Sequence, residues 1–346
     1  MNGGQVARGP ASRAKASPEL LAAIRDCYGL AKGTETAVDI GGSSNLNLLF
    51  ADGHDRYVAR VYRPWVTEER LSAIQEVRWR LERGGVACAL PVPTRDGQTW
   101  IVVDGRLVEV EPYVAHDSEM DSWDRLEAAL PLLGSIHSIL QAAVVSADGR
   151  VAPAANHIDS SDVPADVVRG TRCIQQWDAS PAELQMAHEA EELAGLVNAA
   201  ERSVPRLPRQ LVHGDYWDNN VLFRDGQIVQ VGDLDFMGER PRIDDLALTL
   251  YYTNSTFSED QTSHARALQL RGLVDAYQSG LDEPLTPVER RAIPLALART
   301  PLCFIAMIPS VDSARGARRL AEEIAPDIAW ALALVRDLDR WTAVFA

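Results

Sequence analysis

Lysine is almost absent from this chain of 346 residues. Only Lys15 and Lys32 are lysines among its 34 basic residues, and both lie near the N-terminus. Any role beyond residue 32 that proteins usually give to a lysine must therefore be played by an arginine or go unfilled. Arginine can serve where the partner is a phosphate, because its planar guanidinium binds phosphate through two parallel hydrogen bonds.

Cysteine and histidine are also sparse. The four cysteines, Cys27, Cys88, Cys173 and Cys303, lie far apart and form no C-x-x-C pair, and the seven histidines are equally scattered. Neither a disulfide framework nor a zinc site is therefore indicated, and the thiols are expected to be free and buried. The sequence HEAEE at His188 lacks the second histidine that a metal-binding H-E-x-x-H helix requires.

Excess positive charge and long apolar runs are missing as well. The formal net charge is −15, which disfavours nucleic acid as a partner, because nucleic acid binds basic surfaces. No run approaches the roughly 18–20 apolar residues of a membrane span, and the N-terminus has no apolar core of a secretory signal. We therefore expect a cytoplasmic protein with no nucleic-acid or membrane partner. The acidity permits a cationic substrate, and the sequence gives no indication of the oligomeric state.

The chain length and the order of the predicted elements indicate two lobes. Residues 1–17 are rich in Gly, Ser, Ala and Arg and are predicted to be a mobile tail. Residues 18–110 are predicted to form an antiparallel sheet carrying one helix, residues 111–115 a connector, and residues 116–346 a mostly helical lobe. The fold class predicted from this pattern is α+β.

Particular stretches carry these predictions. Apolar spacing predicts a helix from about Pro18 to Tyr28, and the amphipathic helix after Thr67 is expected to end at Gly84 or Gly85. The stretch from about residue 144 to 166 reads as a loop near a substrate site. Helical spacing near the C-terminus predicts one last helix that carries Trp330, Leu334, Leu338 and Trp341.

Acidic and amide side chains are concentrated between Leu211 and Phe236, in the sequence LVHGDYWDNNVLFRDGQIVQVGDLDF. The pattern predicts a short strand, a loop from His213, and a hairpin across Asp225-Gly226. Asp215 and Asn220 would lie on the loop, and Asp233 would approach them from the end of the hairpin. Mg²⁺ prefers such oxygen ligands, and a second carboxylate can accept the proton of an attacking hydroxyl. The stretch therefore predicts a base beside a magnesium site.

These motifs resemble those of the aminoglycoside phosphotransferase family, which includes choline-kinase-like and homoserine-kinase-like enzymes. HGDYWDNN fits H-G-D-x-x-x-x-N, and GDLDF is followed by IDDLA, with twelve residues from Asp233 to Asp245. The resemblance implies a bilobal protein-kinase-like fold, Asp215 as catalytic base, and Asn220 and Asp233 as magnesium ligands. It also implies supporting roles for His213 beneath the loop, for Asp245 through backbone hydrogen bonds, and for Asp235 at a second metal or as a cap of the loop.

The resemblance also implies a site for ATP or GTP in the first lobe. The sequence GGSSNLN is similar to the turn that covers the phosphates, and YVARVYRP is similar to the strand that carries a phosphate-binding base. By this match Arg60 takes the place of the usual lysine, Glu76 is its ion-pair partner, and Glu111 and Tyr113 lie where the connector passes the adenine. The turn contributes close backbone approach and hydrogen-bond donors through Gly41, Gly42, Ser43, Ser44 and Asn45.

The match extends over roughly residues 35 to 255 and has two departures. Arg60 replaces lysine, and Asp218-Asn219 stands where the family usually has Pro-Gly before the metal-binding asparagine. The second departure falls where the loop faces solvent or acceptor, so it bears on the choice of substrate.

The implied function is Mg²⁺-dependent transfer of the γ-phosphate of ATP or GTP to a hydroxyl of a small acceptor. The acceptor remains open between an antibiotic, such as an aminoglycoside or a macrolide, and a small metabolite of the homoserine or choline kinase type. Two other functions compete with this interpretation: a non-catalytic, kinase-like nucleotide-binding module, and a metal-dependent phosphoesterase. The phosphoesterase requires further clustered histidine and asparagine ligands, which the scattered histidines do not supply.

Overall fold

The N-terminal lobe is built on a five-stranded antiparallel sheet with the strand order β1-β2-β3-β5-β4. A computed structural model of the protein describes residues 13–30, 37–42, 45–153, 156–257, 263–311 and 313–346. The strands of this sheet are β1 (Val38–Asp39), β2 (Leu46–Asp52), β3 (Asp55–Val61), β4 (Ile101–Val103) and β5 (Arg106–Pro112).

Two helices cover opposite faces of this sheet, α1 (Pro18–Tyr28) and α2 (Glu68–Arg83). Ile24 of α1 is buried in one apolar cluster with Val108 and Val110 of β5. Because successive side chains of a strand point to opposite faces, Glu109 and Glu111 of the same strand point to α2. The alternating Val-Glu-Val-Glu sequence of β5 therefore sends its apolar side chains to α1 and its acidic ones to α2.

Local sequence accounts for the ends of both helices. Ser17 and Thr67 each accept a first-turn backbone N–H at 3.1 Å through the side-chain oxygen, which satisfies one of the free donors of a helix start. Gly29 ends α1 with a left-handed φ of 72°, and Gly84 ends α2. The predicted helix from Pro18 to Tyr28 and the predicted end at Gly84 are confirmed.

The C-terminal lobe is mostly helical, with two small sheets at its junction with the first lobe. One sheet pairs β7 (Gln210–Val212) with β10 (Gly238–Arg240), and the other has the order β6 (Ser118–Met120), β8 (Asp218–Arg224), β9 (Gln227–Val231). The helices of the described part of this lobe are α3 (Trp123–Gln141), α4 (Ala147–Arg150), α5 (Val163–Gln176), α6 (Pro181–Glu201), α7 (Arg242–Phe257), α8 (His264–Ser279), α9 (Pro287–Arg299), α10 (Leu302–Met307), α11 (Ala314–Arg336) and α12 (Leu338–Phe345).

Among the described residues, no single helix is both long and apolar enough to cross a bilayer. One bent pair, Pro287–Arg299 with Leu302–Ser310, reaches that length and composition only when its two segments are counted together.

The end of the chain forms two helices where the sequence predicted one. α11 and α12 are separated at Asp337, whose φ of −119° and ψ of 37° are not helical. Trp341 of α12 packs edge-on against Trp330 of α11, with ring centroids 6.4 Å apart. The apolar spacing continues across the break because both helices face the same core, so periodicity alone could not reveal it.

Three further boundaries differ from the sequence prediction. The predicted loop from about 144 to 166 contains the short helix α4, and α5 already begins at Val163. β5 continues to Pro112, so the first two residues of the predicted connector belong to the sheet. The predicted mobile tail lies outside the described residues up to residue 12, and Arg13 is attached to the sheet by an ion pair with Asp39 at 2.5 Å.

Candidate active site

The loop that follows β7 is anchored through its backbone by Asp245, which lies near the start of α7. Its carboxylate accepts the backbone N–H groups of His213 at 3.1 Å and Gly214 at 2.9 Å. Gly214 has a φ of 87°, and a Cβ there would lie 2.0 Å from the carbonyl oxygen of Phe236. Only glycine fits this position, so the loop can run close beneath the segment that carries Asp233.

Two buried histidines support this anchor. His137 of α3 contacts the Asp245 carboxylate through Nε2 at 2.9 Å and the Tyr277 hydroxyl through Nδ1 at 2.7 Å. His213 contacts the carbonyl oxygen of Gly232 through Nε2 at 3.0 Å, and its Nδ1 accepts the N–H of Asp215 at 3.2 Å. Burial lowers the pKa of His213, so a neutral ring connects the loop to the end of β9.

Asp215 projects from this loop with both carboxylate oxygens engaged. Oδ1 accepts a hydrogen bond from the side-chain amide of Asn156 at 2.9 Å, and Oδ2 accepts one from Asn220 at 3.1 Å. Burial, followed by the charge of Asp233, raises the pKa of Asp215 to about 7. A carboxylate with this pKa is suited to accept a proton near neutral pH.

Asn156 was not predicted from the sequence. It lies in the segment that joins α4 to α5, 59 residues from Asp215 along the chain. No local sequence pattern identifies Asn156. The only related signal was the prediction that the loop from about residue 144 to 166 lies near a substrate site.

Asn220 and Asp233 present oxygen atoms that fit a hard cation. The side-chain nitrogen of Asn220 donates to the carbonyl oxygen of Asp215 at 2.8 Å, so the amide oxygen is the atom left for a metal. Asp233 Oδ1 is buried without a hydrogen-bond partner, although Nη1 of Arg60 lies 3.2 Å away as an ion pair. One amide oxygen and one carboxylate, completed by phosphate and water oxygens, is a typical Mg²⁺ donor set.

No group of three or more His, Cys, Asp or Glu side chains within the described ranges could hold a metal ion. The described residues therefore do not show the clustered ligands that the phosphoesterase alternative requires.

Arg60 of β3 points into the cleft between the lobes. Its guanidinium lies 3.2 Å from Asp233 and 4.0 Å from Glu111, and its side chain is 13% exposed. The predicted ion pair with Glu76 is wrong, because Glu76 is exposed on the outer side of α2. The helix turns Arg78 toward the sheet instead, and a helix position two residues away lies on a different face.

The predicted phosphate-covering turn is described only in part. Gly41 and Gly42 have φ values of 97° and 106°, which only glycine adopts without strain. Ser43 and Ser44 lie outside the described residues. The side chain of Asn45, predicted to offer a donor to phosphate, is buried and donates to Asp235 at 2.6 Å.

Asp235 therefore joins the two lobes. Its carboxylate accepts the hydrogen bond from Asn45, and its backbone oxygen accepts one from Arg70 of α2 at 2.6 Å. Burial and the charge of Asp233 raise the pKa of Asp235 to about 7. This contact between the lobes is neither of the two roles that the sequence left open to Asp235, and those stay predictions.

Glu111 and Tyr113 line the cavity between the lobes, and part of their hydrogen bonding is used within the N-terminal lobe. The N–H of Tyr113 donates to the carbonyl oxygen of Arg56 at 2.9 Å, so it is already used within the N-terminal lobe. Glu111 pairs with Val58 in the β3–β5 register, and its carboxylate lies on the α2 side of the sheet. Glu111 lies within β5, and the Tyr113 hydrogen bond extends the pairing with β3 one residue past the end of the strand; their contact with the adenine stays a prediction.

These groups surround one cavity of about 560 Å³ between the lobes. Arg60, Asp215, Asn220 and Asp233 line it together. Apolar side chains line it from both lobes, namely Leu49, Val58, Leu222, Tyr252, Phe304 and Met307.

The sequence profile of the Phosphotransferase enzyme family (APH) matches residues 36–284 of the chain. The chain belongs to this family. The predicted family resemblance is therefore confirmed, and the enzyme is a kinase-type phosphotransferase of small molecules. It is 24% identical to a homoserine kinase of Gluconacetobacter diazotrophicus over 264 residues, which cover 76% of this chain and 77% of the relative.

Solved structures show the same fold. A microcompartment-associated aminopropanol kinase superposes on this phosphotransferase with a TM-score of 0.70, at 17% identity, covering 94% of this chain and 98% of the other. An amicoumacin kinase in complex with AMP-PNP, Ca²⁺ and Ami superposes with a TM-score of 0.66, at 14% identity, covering 89% of this chain and 93% of the other. The predicted bilobal, kinase-like α+β fold is confirmed.

Proposed function

We propose that this phosphotransferase transfers the γ-phosphoryl group of ATP or GTP to a hydroxyl of a small amine-bearing acceptor, with Asp215 as the base. The observation that carries the proposal is the position of Asp215. Its carboxylate is held by two side-chain amides in a cavity that also contains Arg60, Asn220 and Asp233. The amicoumacin kinase of the same fold was solved with AMP-PNP, which supports a nucleoside triphosphate as the phosphoryl donor.

Asp215 acts by orienting the acceptor hydroxyl and taking its proton. The acceptor oxygen forms a bond to the γ-phosphorus, the bond from that phosphorus to the β–γ bridging oxygen breaks, and the nucleoside diphosphate leaves. The hydroxyl proton moves to Asp215. Because such transition states are loose, correct positioning of the two oxygens contributes most of the acceleration. The amides of Asn156 and Asn220 keep the carboxylate from rotating away from the acceptor.

Asn220 and Asp233 would hold Mg²⁺ through the amide oxygen and the carboxylate. When bound, the ion supplies positive charge that neutralises the phosphate oxygens. Oδ1 of Asp233 is buried and accepts no hydrogen bond, and its present neighbour is the guanidinium of Arg60. Arg60, whose guanidinium reaches Asp233, lies within the same group and would contact the phosphates from the N-terminal lobe.

The lining of the cavity favours an acceptor that carries an amine over one that carries a carboxylate. Arg60 and Arg63 are the arginines among the described lining residues, and both lie on or directly after β3, on the nucleotide side. A free carboxylate on the acceptor would thus lack a guanidinium partner near Asp215. Glu119 and the aromatic rings of Tyr252 and Phe304 line the cavity and suit a cation.

The presence or absence of a carboxylate on the acceptor separates homoserine from the other candidate acceptors. Homoserine carries a carboxylate beside its amine, whereas aminopropanol and aminoglycosides carry amines without one. We expect turnover with amino alcohols or amino sugars to exceed turnover with homoserine.

A coupled assay of ADP release tests the proposal. Purified protein with Mg²⁺ and ATP, and in parallel GTP, is screened against aminoglycosides, macrolides, amino alcohols, homoserine and simple sugars. We expect an amine-bearing acceptor to stimulate ADP release, and Asp215→Asn to lower that kcat by about 10²–10⁴-fold. Retention of near-normal turnover by Asp215→Asn would refute the assignment of the base. Nucleotide binding without turnover on any acceptor would favour the non-catalytic module.

A further inference from the structure

The acidic face of β5 lies directly beside Arg60. In the β3–β5 register Arg60 is opposite Glu109, and Val58 is opposite Glu111. Directly opposite residues of neighbouring strands share a face of the sheet. Arg60, Glu109 and Glu111 are therefore on one face, between the sheet and α2.

Arg78 of α2 binds both glutamates from the helix side. Its guanidinium donates to Glu109 Oε2 at 2.5 Å, to Glu111 Oε2 at 2.8 Å and to the carbonyl oxygen of Ala89 at 3.1 Å. Arg78 is 6% exposed and Glu111 is 5% exposed. A charge so far from water is stable only when it is paired and hydrogen-bonded, so these three side chains form one unit.

The two glutamate carboxylates differ in how many of their oxygen atoms already accept hydrogen bonds. Glu109 also accepts hydrogen bonds from Gln75 at 2.8 Å and from the Tyr62 hydroxyl, so its oxygens are fully used beneath the sheet. Glu111 is bound to Arg78 through Oε2, and its Oε1 faces Arg60 at 4.0 Å. Glu111 is therefore the acid that connects the buried unit to the cleft.

Arg60 has a second anionic neighbour, Asp233, at 3.2 Å. Asp233 is the residue that would bind the cation when the nucleotide is present. Once Asp233 is directed to the metal, Glu111 is the remaining carboxylate within ion-pair distance of Arg60 among the described residues. Burial raises the pKa of Glu111, and the charges of Arg60 and Arg78 oppose this rise.

We propose that Glu111, itself held by Arg78, is the positioning residue that directs Arg60 to the phosphates of the nucleotide. The sequence predicted that the acid paired with Arg60 lies on helix α2. In the structure this acid, Glu111, lies on β5, and α2 supplies a second base, Arg78. This inference rests on the proposed function, since it assigns the partner of the phosphate-binding residue.

The experiment measures by calorimetry, in the presence of Mg²⁺, the Kd with which each protein binds AMP-PNP. The central comparison is between the wild type, Glu111→Gln, Arg60→Gln and the double variant. We expect Glu111→Gln to raise Kd about tenfold while the kcat at saturating nucleotide changes little. If Glu111 acts through Arg60, its replacement has no further effect in the Arg60→Gln background. The exposed acid of α2 provides the matched control, and Glu76→Gln is expected to leave Kd unchanged.

A second variant guards against a folding defect in the first. Arg78→Lys keeps the charge but lacks the planar fork that binds Glu109, Glu111 and the carbonyl oxygen of Ala89 together, and we expect a several-fold rise in Kd that also vanishes in the Arg60→Gln background. Additive effects of Glu111→Gln and Arg60→Gln, or an effect of Glu111→Gln no larger than that of Glu76→Gln, overturn the inference and leave the proposed function intact. Absence of nucleotide binding by the wild type overturns both.

Discussion

Replacement of Asn156 by alanine removes one of the two amide groups that hold the carboxylate of Asp215. The contact is a hydrogen bond of 2.9 Å from the Asn156 side-chain nitrogen to Oδ1 of Asp215. It favours the ionised carboxylate, because the amide donates to it. Loss of such a charge-assisted hydrogen bond costs roughly 1.5–3 kcal/mol, and a rise of one pKa unit corresponds to about 1.4 kcal/mol.

The pH dependence follows from the sign of this effect. Asp215 must be unprotonated to act as a base, and burial already raises its pKa to about 7. Removal of the donor raises the pKa by a further unit or so, which lowers the ionised fraction at pH 7 about fivefold. The acid limb of kcat/KM for the acceptor should therefore move to higher pH, and the loss should largely disappear near pH 9.

The assay is a pH profile of acceptor-dependent ADP release for wild type and Asn156→Ala. Asn198→Ala is the control, since Asn198 is a half-buried asparagine of α6. Its profile should match that of the wild type. An Asn156→Ala profile that is lowered equally at every pH, or is unchanged, would show that Asn156 does not stabilise the ionised form of Asp215.

Three further perturbations have defined outcomes. Gly214→Ala should lower the free energy of unfolding in urea by more than about 2 kcal/mol and abolish turnover, because its Cβ would meet a backbone oxygen at 2.0 Å. Its control, Gly226→Ala, has open space around the new Cβ and should lower the free energy of unfolding by about 1 kcal/mol. Asp245→Ala should cost roughly 3–5 kcal/mol in urea unfolding, since it leaves two backbone N–H groups and a buried histidine without their acceptor; an unchanged midpoint would contradict this. Burial and the charge of Arg240 lower the pKa of His157 to about 4, so its stabilising contribution is complete above about pH 6.5 and is lost as the pH falls toward 4; stability profiles of His157→Gln should be flatter across that window.

Local sequence patterns singled out residues that the fold brings together around Asp215. Asp215 and Asn220 are five residues apart on one short segment, and Asp245 lies in the first turn of α7, so chain connectivity already restricts their positions. The start of α1 follows from the cap at Ser17, and its end follows from Gly29 after Tyr28. These features depend on neighbours in sequence, and such neighbours remain neighbours in the fold.

Contacts between distant segments were missed or wrongly predicted. Glu76 and Arg78 lie on the same charged helix, and helical periodicity cannot tell which of them meets the sheet. The choice depends on how α2 lies across β3 and β5. Asn156 reaches Asp215 from a segment without regular pattern, and the break at Asp337 is hidden because α11 and α12 bury their apolar faces in one core.

The sequence by itself determined the family and the two-lobed class, and it singled out Asp215, Asn220 and Asp233 as the candidate base and oxygen ligands, because these depend on spacing within short segments. Only the tertiary structure decided which charges meet across the cleft. It placed Glu111 and Arg78 behind Arg60, and Asn156 beside Asp215, because the packing of α2 on the sheet and of the α4–α5 segment on the loop sets those distances.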